Sequence, residues 1–270
     1  GKGALARVYR GYHVHTREDV AVKVFFNYLA DDEQFLDRFR QDAQAMIALR
    51  HPNIVPVLDF ETRAEEYCFL VMAYIIGGTL KAHQARLKRV GSGRSQPGGI
   101  LMPVGEVVRI GQEIAAALDY AHARGVIHHN LTPSNIMLTT DKQTVVSDFG
   151  LARLMGGMEQ TMTGSSWRSP AYVAPEHTYG DHGDRRSDIY SLGAILFELL
   201  TGSPLHKTSA GPMEQLMRRI SEPVPAVRSL NPELPATVDP VFEKALEKEP
   251  QARYQTAGEL IEALTLALQS

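Results

Sequence analysis

The run His128-His129-Asn130-Leu131-Thr132-Pro133-Ser134-Asn135, with Asp148-Phe149-Gly150 beginning thirteen positions after Asn135, constrains this chain more than any other feature. Alone, an asparagine in a loop or an aspartate before Phe-Gly is an ordinary turn former. Here the two flank a pair of short apolar runs, residues 136–138 and 145–146, which predict strands. With both present at that spacing, chance is a poor explanation for the pair Asn135 and Asp148. Asn130, in the middle of the loop, is a neutral amide. Neither its oxygen nor its nitrogen takes up a proton near neutrality, so it cannot act as a base.

The rest of the chain limits what can surround that loop. At 270 residues it is long enough for one large domain or two packed lobes. Hydrophobic residues at 44% exclude a wholly disordered chain, and a net charge of −3 gives no basis for a nucleic-acid or polybasic membrane partner. Residues 1–72 read as strands with one helix. Val20, Val22 and Val24 alternate with Ala21, Lys23 and Phe25, after a hairpin turn at residues 16–19. Phe35, Phe39, Met46 and Leu49 predict a helix over residues 31–49, with Asp42 on its apolar face, ended by His51-Pro52. Strands follow at residues 54–60 and 67–72. The single cysteine, Cys68, reads as a buried strand residue and fits a reducing compartment.

Beyond Gly77-Gly78 the chain turns helical. Ile110, Ile114, Ala117, Leu118 and Ala121 mark one helix ending near Gly125. Residues 188–200 are apolar nearly all round, which predicts a buried central helix capped by Gly202. Thr256 and Glu259 form a capping box for a last helix through Leu268. Residues 88–99 have the composition of a mobile loop. No internal repeat is present, and no apolar run reaches the ~18 residues that span a bilayer. With neither a signal peptide nor an initiator Met, the segment is expected to be excised from a longer protein.

These motifs resemble the bacterial Ser/Thr protein-kinase family over essentially the whole chain. The resemblance implies an α+β, bilobal fold: a β-rich lobe over residues 1–72, a hinge at 73–78 and a helical lobe over 79–270, with ATP or ADP and Mg²⁺ (or Mn²⁺) between the lobes. Gly1, Gly3, Ala6 and Val8 stand where the family lays its glycine-rich loop over the phosphates, with Ala6 in place of the third glycine. Lys23, in Val20-Ala21-Val22-Lys23, matches the lysine that pairs with the α and β phosphates, and Asp42 stands at the position of its helical carboxylate partner. Ala21, Met72, Ala73, Tyr74, Ile75 and Met137 match the nucleotide-cleft positions, and Asn135 and Asp148 the metal ligands. Ser169-Pro170-Ala171-Tyr172-Val173-Ala174-Pro175-Glu176 resembles the peptide-binding loop, with Arg253 as the expected partner of Glu176 and Asp188 bracing the catalytic loop. Thr161, Thr163, Ser165, Ser166 and Ser169 offer hydroxyls in the activation segment.

The departures are concentrated in the catalytic loop. Asn130 replaces the aspartate that accepts the substrate hydroxyl's proton. Thr132 replaces the lysine that contacts the transferred phosphate, and His129 the arginine that grips a phosphorylated activation loop. Three readings follow: a nucleotide-binding pseudokinase that regulates or scaffolds a protein partner, a slow but genuine Ser/Thr kinase, and a nucleotide-free interaction domain. The expected setting is cytoplasmic, with membrane tethering only through sequence outside this segment.

Overall fold

The computed structural model describes residues 6–64, 66–91, 101–151, 170–179, 183–206 and 211–269. Strands β1 (Ala6–His13), β2 (Glu18–Phe25), β3 (Val57–Arg63) and β4 (Tyr67–Ala73) form one antiparallel sheet in the order β1-β2-β4-β3. The first turn lies at residues 14–17 rather than 16–19. Glu18 and Asp19 extend the ladder opposite His13 and Tyr12, where Asp19 also pairs with Arg10 at 2.6 Å. Helix α1 (Glu33–Ala48) starts after Asp32, whose carboxylate accepts the N–H groups of Gln34 and Phe35. Its apolar stripe packs on the sheet, with the Phe25 and Phe39 rings 5.1 Å apart edge to face. Cys68 is fully buried there, and burial pushes its thiol up to about 12.

The expected strand over 54–60 is split between lobes. β3 begins only at Val57, because Ile54 forms a parallel bridge with Val146, the Val55 N–H donates to the Val146 carbonyl at 2.9 Å, and the Val146 N–H donates back to Asn53 at 2.9 Å. Apolar pattern alone shows that this segment is buried, not which sheet receives it.

Helices α2 (Leu80–Gly91) and α3 (Val104–His122), the hairpin β5 (Ile136–Leu138) and β6 (Thr144–Val146), and helices α4 (Arg185–Thr201), α5 (Pro212–Ser221), α6 (Val238–Ala245) and α7 (Ala257–Ala267) complete the described fold. The result is a fold of mixed α+β class, a four-stranded sheet lobe joined to a helical lobe, as expected. Lys88 and Arg89, read as loop, lie in the last turn of α2, while residues 92–100 fall outside the described set. Every residue of α4 from Ser187 to Thr201 is buried, and Gly202 ends it at φ 70°, its N–H bonded to Glu198. At α7, Thr256 caps the Glu259 N–H as expected, but the Glu259 carboxylate returns to Gln255, one residue before the cap. Asp119 of α3 also accepts the N–H groups of Ala257 and Gly258, locking α3 to α7.

Two hydrophobic clusters result, and each borrows from the other lobe. Leu49 and Ile54 join the large helical cluster, whereas Val145 and Leu151 join the cluster of the sheet and α1. The crossing at residues 74–79 is pinned beneath β5, where the Leu138 N–H donates to Gly78 at 2.9 Å. Gly77 has φ 134°, and a Cβ there would lie 1.9 Å from the Leu138 carbonyl oxygen, so only glycine fits. No described helix is long and apolar enough to cross a membrane.

Candidate active site

Helix α4 builds the catalytic loop from below. Asp188, in its first turn and fully buried, accepts the N–H of His128 and of His129, each at 2.8 Å, and a hydrogen bond from His122 Nε2 at 2.8 Å. Burial opposes ionisation of this carboxyl, but the His122 hydrogen bond and the nearby histidines outweigh it and hold its pKa at about 2. The same bonds stabilise a left-handed backbone at His129 (φ 61°), a conformation that a non-glycine residue keeps only when its surroundings impose it. His128 is fully buried, its ring 4.9 Å from that of Phe149. Its Nε2 donates to the Ser147 carbonyl at 2.9 Å while its Nδ1 accepts the Asn130 N–H at 3.3 Å, so the imidazole is neutral. Burial pushes its pKa down in agreement, against the pull of Asp188 and Asp148.

The hairpin then brings the two candidate metal ligands together. The Asn135 carbonyl accepts the Ser147 N–H at 2.8 Å and the Ser147 hydroxyl at 3.1 Å, which fixes Asp148 one residue further on. Asn135 Nδ2 donates to the Asn130 carbonyl at 3.0 Å, leaving the side-chain oxygen without a hydrogen bond in the described structure. Asp148 is itself left-handed (φ 67°) and meets Lys23 Nζ at 2.9 Å. The hard-oxygen pair, a carboxylate and an amide carbonyl beside a lysine, suits magnesium, which commonly takes one or two protein ligands and leaves the rest to phosphates and water.

Other expected positions are placed as follows. Lys23 lies opposite Val8 on β1 and Leu70 on β4, and Ala21 lies opposite Met72. Ala21, Ala73, Ile75 and Met137 are half-buried against the smaller cluster; Met72 is buried and lines a pocket with Met46, Asp148 and Phe149. Tyr74 is exposed, its ring taken by the Arg10 guanidinium 5.0 Å away. Ala6 is buried at the start of β1, and Gly1 and Gly3 lie outside the described residues, as do Thr161, Thr163, Ser165, Ser166 and Ser169.

One expectation needs correction. Lys23 Nζ pairs with Asp148 at 2.9 Å, and no ion pair among the described residues joins it to Asp42, the partner expected on α1. Thr132 is 7% exposed, and next to it the Pro133 carbonyl accepts the Lys81 N–H at 2.9 Å.

Arg253 and Glu176 form the expected buried pair with two parallel bonds of 2.8 and 2.7 Å; burial of Glu176 is outweighed by Arg253, which holds its carboxyl below the ordinary value. The sequence reading missed two neighbours of the peptide-binding loop. Glu198, a carboxylate inside the apolar run of α4, receives the Tyr172 hydroxyl and Lys88 Nζ. Its position in that run was the available signal, since a buried carboxylate needs partners. Arg219 of α5 is fully buried and donates to the carbonyls of Ala171 and Val173, and nothing in local sequence marked it.

Comparison with known proteins agrees with this geometry. The pattern of the protein kinase domain family matches residues 1–263. A probable serine/threonine-protein kinase of Streptomyces coelicolor is 36% identical over 268 residues, 96% of this chain and 37% of that protein. PknB of Mycobacterium tuberculosis is 36% identical over 268 residues, 96% of this chain and 40% of that protein. PrkC of Bacillus subtilis is 34% identical over 262 residues, 96% of this chain and 38% of that protein. The chain thus spans 37 to 40% of the length of these relatives. The solved kinase domain of M. tuberculosis PknI aligns with a TM-score of 0.76 at 28% identity, covering 100% of this chain and 93% of that one.

Proposed function

The chain belongs to the protein kinase family, and from that premise we propose that this domain binds ATP with magnesium yet transfers phosphate to hydroxyl groups at a rate near background. It then serves as a regulatory or scaffolding module for a protein partner in a reducing, cytoplasmic setting. One observation supports the reading: a neutral amide, Asn130, stands where the family has its base, in a loop held by Asp188 and bonded to Asn135. Lys23 would hold nucleotide phosphates, Asp148 and Asn135 the cation, and Ala21, Met72 and Met137 the base. Manganese could replace magnesium on the same oxygens. Bound there, the nucleotide supplies the transferable phosphoryl group and the cation neutralises its charge. The chain's own contribution to proton removal is missing, because an amide takes no proton from a hydroxyl. Thr132, enclosed and uncharged, adds no positive charge at the transferred group.

A slow kinase is the second reading, favoured by the intact frame around Asp188. General-base contributions run to about 10²–10⁴-fold, so losing the base slows transfer without forbidding it.

The first test is a thermal-shift titration with ATP, with and without Mg²⁺ or Mn²⁺. At 100 times Kd the nucleotide should stabilise the fold by ~2.7 kcal/mol, in a metal-dependent way. No shift with either metal would leave a nucleotide-free interaction domain. Radiolabel transfer to itself or a generic hydroxyl substrate should sit near background. Asn130→Asp with Thr132→Lys should raise it more together than either alone, since both groups act on one transition state. Robust transfer by the unmodified domain, abolished by Asp148→Ala, would establish the second reading instead.

A further inference from the structure

Asn130 is held by its backbone alone. Its N–H donates to His128 at 3.3 Å and its carbonyl accepts Asn135 Nδ2 at 3.0 Å, while its half-buried side-chain amide makes no hydrogen bond in the described structure. Residues 128–135 contain no carboxylate at all. Two acidic residues of the frame are already engaged: Asp148 by Lys23 at 2.9 Å, and Asp188 by three donors beneath the loop. What Asn130 offers an incoming group is therefore an uncommitted amide, an N–H₂ donor and a carbonyl acceptor, with no negative charge of its own.

An aspartate and an asparagine here select opposite acceptors. A carboxylate takes a hydroxyl's proton but repels a second carboxylate, since two in contact cannot both stay ionised at neutral pH. The amide takes no proton but donates an N–H to an anion without repulsion.

We propose that Asn130 forms a seat for a carboxylate, the aspartate or glutamate side chain of a protein partner, in place of a serine or threonine hydroxyl. The seat itself needs no nucleotide; its use in transfer rests on the reading that the cleft binds ATP. A carboxylate has no proton to lose, so the missing base does not matter for it. One oxygen lone pair forms the bond to the γ-phosphorus, and the electron pair of the breaking P–O bond leaves with ADP. The product is an acyl phosphate and no proton moves. Thr132 still supplies no charge to this step, so binding is the primary readout and labelling the second.

The test titrates the 270-residue chain, without nucleotide, with a glutamate-containing peptide and with its serine-substituted counterpart, following the Asn130 side-chain amide by NMR. That resonance should move with the glutamate peptide alone. Isosteric Asn130→Asp should weaken the glutamate peptide by about tenfold or more, through like-charge repulsion, and leave the serine peptide unweakened. If Asn130→Asp fails to melt cooperatively, Asn130→Ala reads the lost donor instead. Equal affinity for both peptides, or a glutamate affinity that neither variant changes, overturns the seat. With radiolabelled Mg-ATP added, label released by hydroxylamine and by alkali supports acyl transfer. Label stable to hydroxylamine (a hydroxyl ester), label stable to alkali but lost in acid (a phosphohistidine), or carboxylate binding with no label overturns the transfer step. A missing ATP thermal shift would overturn nucleotide binding, and the peptide arm would still decide the seat.

Discussion

The catalytic loop has two faces that have been treated differently. Its lower face is closed by Asp188, His122 and the Phe149 ring, with three hydrogen bonds of 2.8 Å that are wholly or partly buried. Its upper face carries Asn130, whose side-chain amide makes no hydrogen bond among the described residues, beside the buried, uncharged Thr132. The shape of the loop is held by α4 beneath it, so Asn130, whose side chain takes no part in that frame, can change with little cost to the fold. A loop whose conformation depended on a charged partner in the cleft would not have this independence.

The largest effect should follow from breaking the lower face. Asp188→Ala leaves two backbone N–H groups and His122 without an acceptor in the interior, and should cost about 3–5 kcal/mol. Asn130→Ala, which removes a side chain with no hydrogen bond among the described residues, should stay within about 0.5 kcal/mol. Urea unfolding of the two variants measures the difference directly, and similar losses would erase the distinction between the faces. The pH dependence has a definite sign. The folded Asp188 carboxyl lies at about 2, below its ordinary 3.8, so its stabilisation is complete above pH ~5 and fades as pH falls through 4 toward 2. Asp188→Asn should lose that acid-side decline.

Next in size is the pair that closes the peptide-binding segment. Arg253 is wholly buried and also donates to the carbonyls of Glu247, Arg186 and Lys248, so Arg253→Ala strands Glu176 and three carbonyls. The expected cost is ~3–5 kcal/mol with no change in the ATP thermal shift. A loss below about 0.5 kcal/mol in urea would show that the pair carries no structural weight.

The sequence made the lower face legible and the upper face only nominally so. Apolar periodicity marked α1, α3 and α4, and Gly202 and Thr256 end and start helices as their residue types require. The motif spacing pointed to the hairpin in which the Asn135 carbonyl accepts the Ser147 N–H, one residue before Asp148. What it could not give was the third dimension of short polar reach. Asp42 and Lys23 are correctly placed on their elements, but the pairing depends on the gap between α1 and β2, which no local pattern encodes. Thr132 was identified as a lost charge, but no local pattern marked its burial. The segment over 54–60 failed for the same reason, since Val146 competes for Ile54 and Val55 across the cleft.

Among the ion pairs, the smallest effect on stability should come from Lys23→Met, and it is the sharpest probe of the comparison. The Lys23 and Asp148 side chains are 17% and 20% exposed at the edge of the cleft, so water reaches what the substitution leaves behind. A pair so placed contributes on the order of 1 kcal/mol or less to the fold, well under the Glu176–Arg253 pair. Its value lies in ligand binding: once phosphates arrive, the ammonium exchanges a carboxylate for a more highly charged partner. Lys23→Met should therefore leave urea stability nearly unchanged and strongly reduce the ATP-dependent rise in melting temperature. An unchanged ATP shift would remove Lys23 from the phosphate site. A stability loss as large as that of Arg253→Ala would make the cleft pair part of the scaffold. In that case the lobes are held together by the residues meant to open for nucleotide, and the independence of frame and chemistry fails.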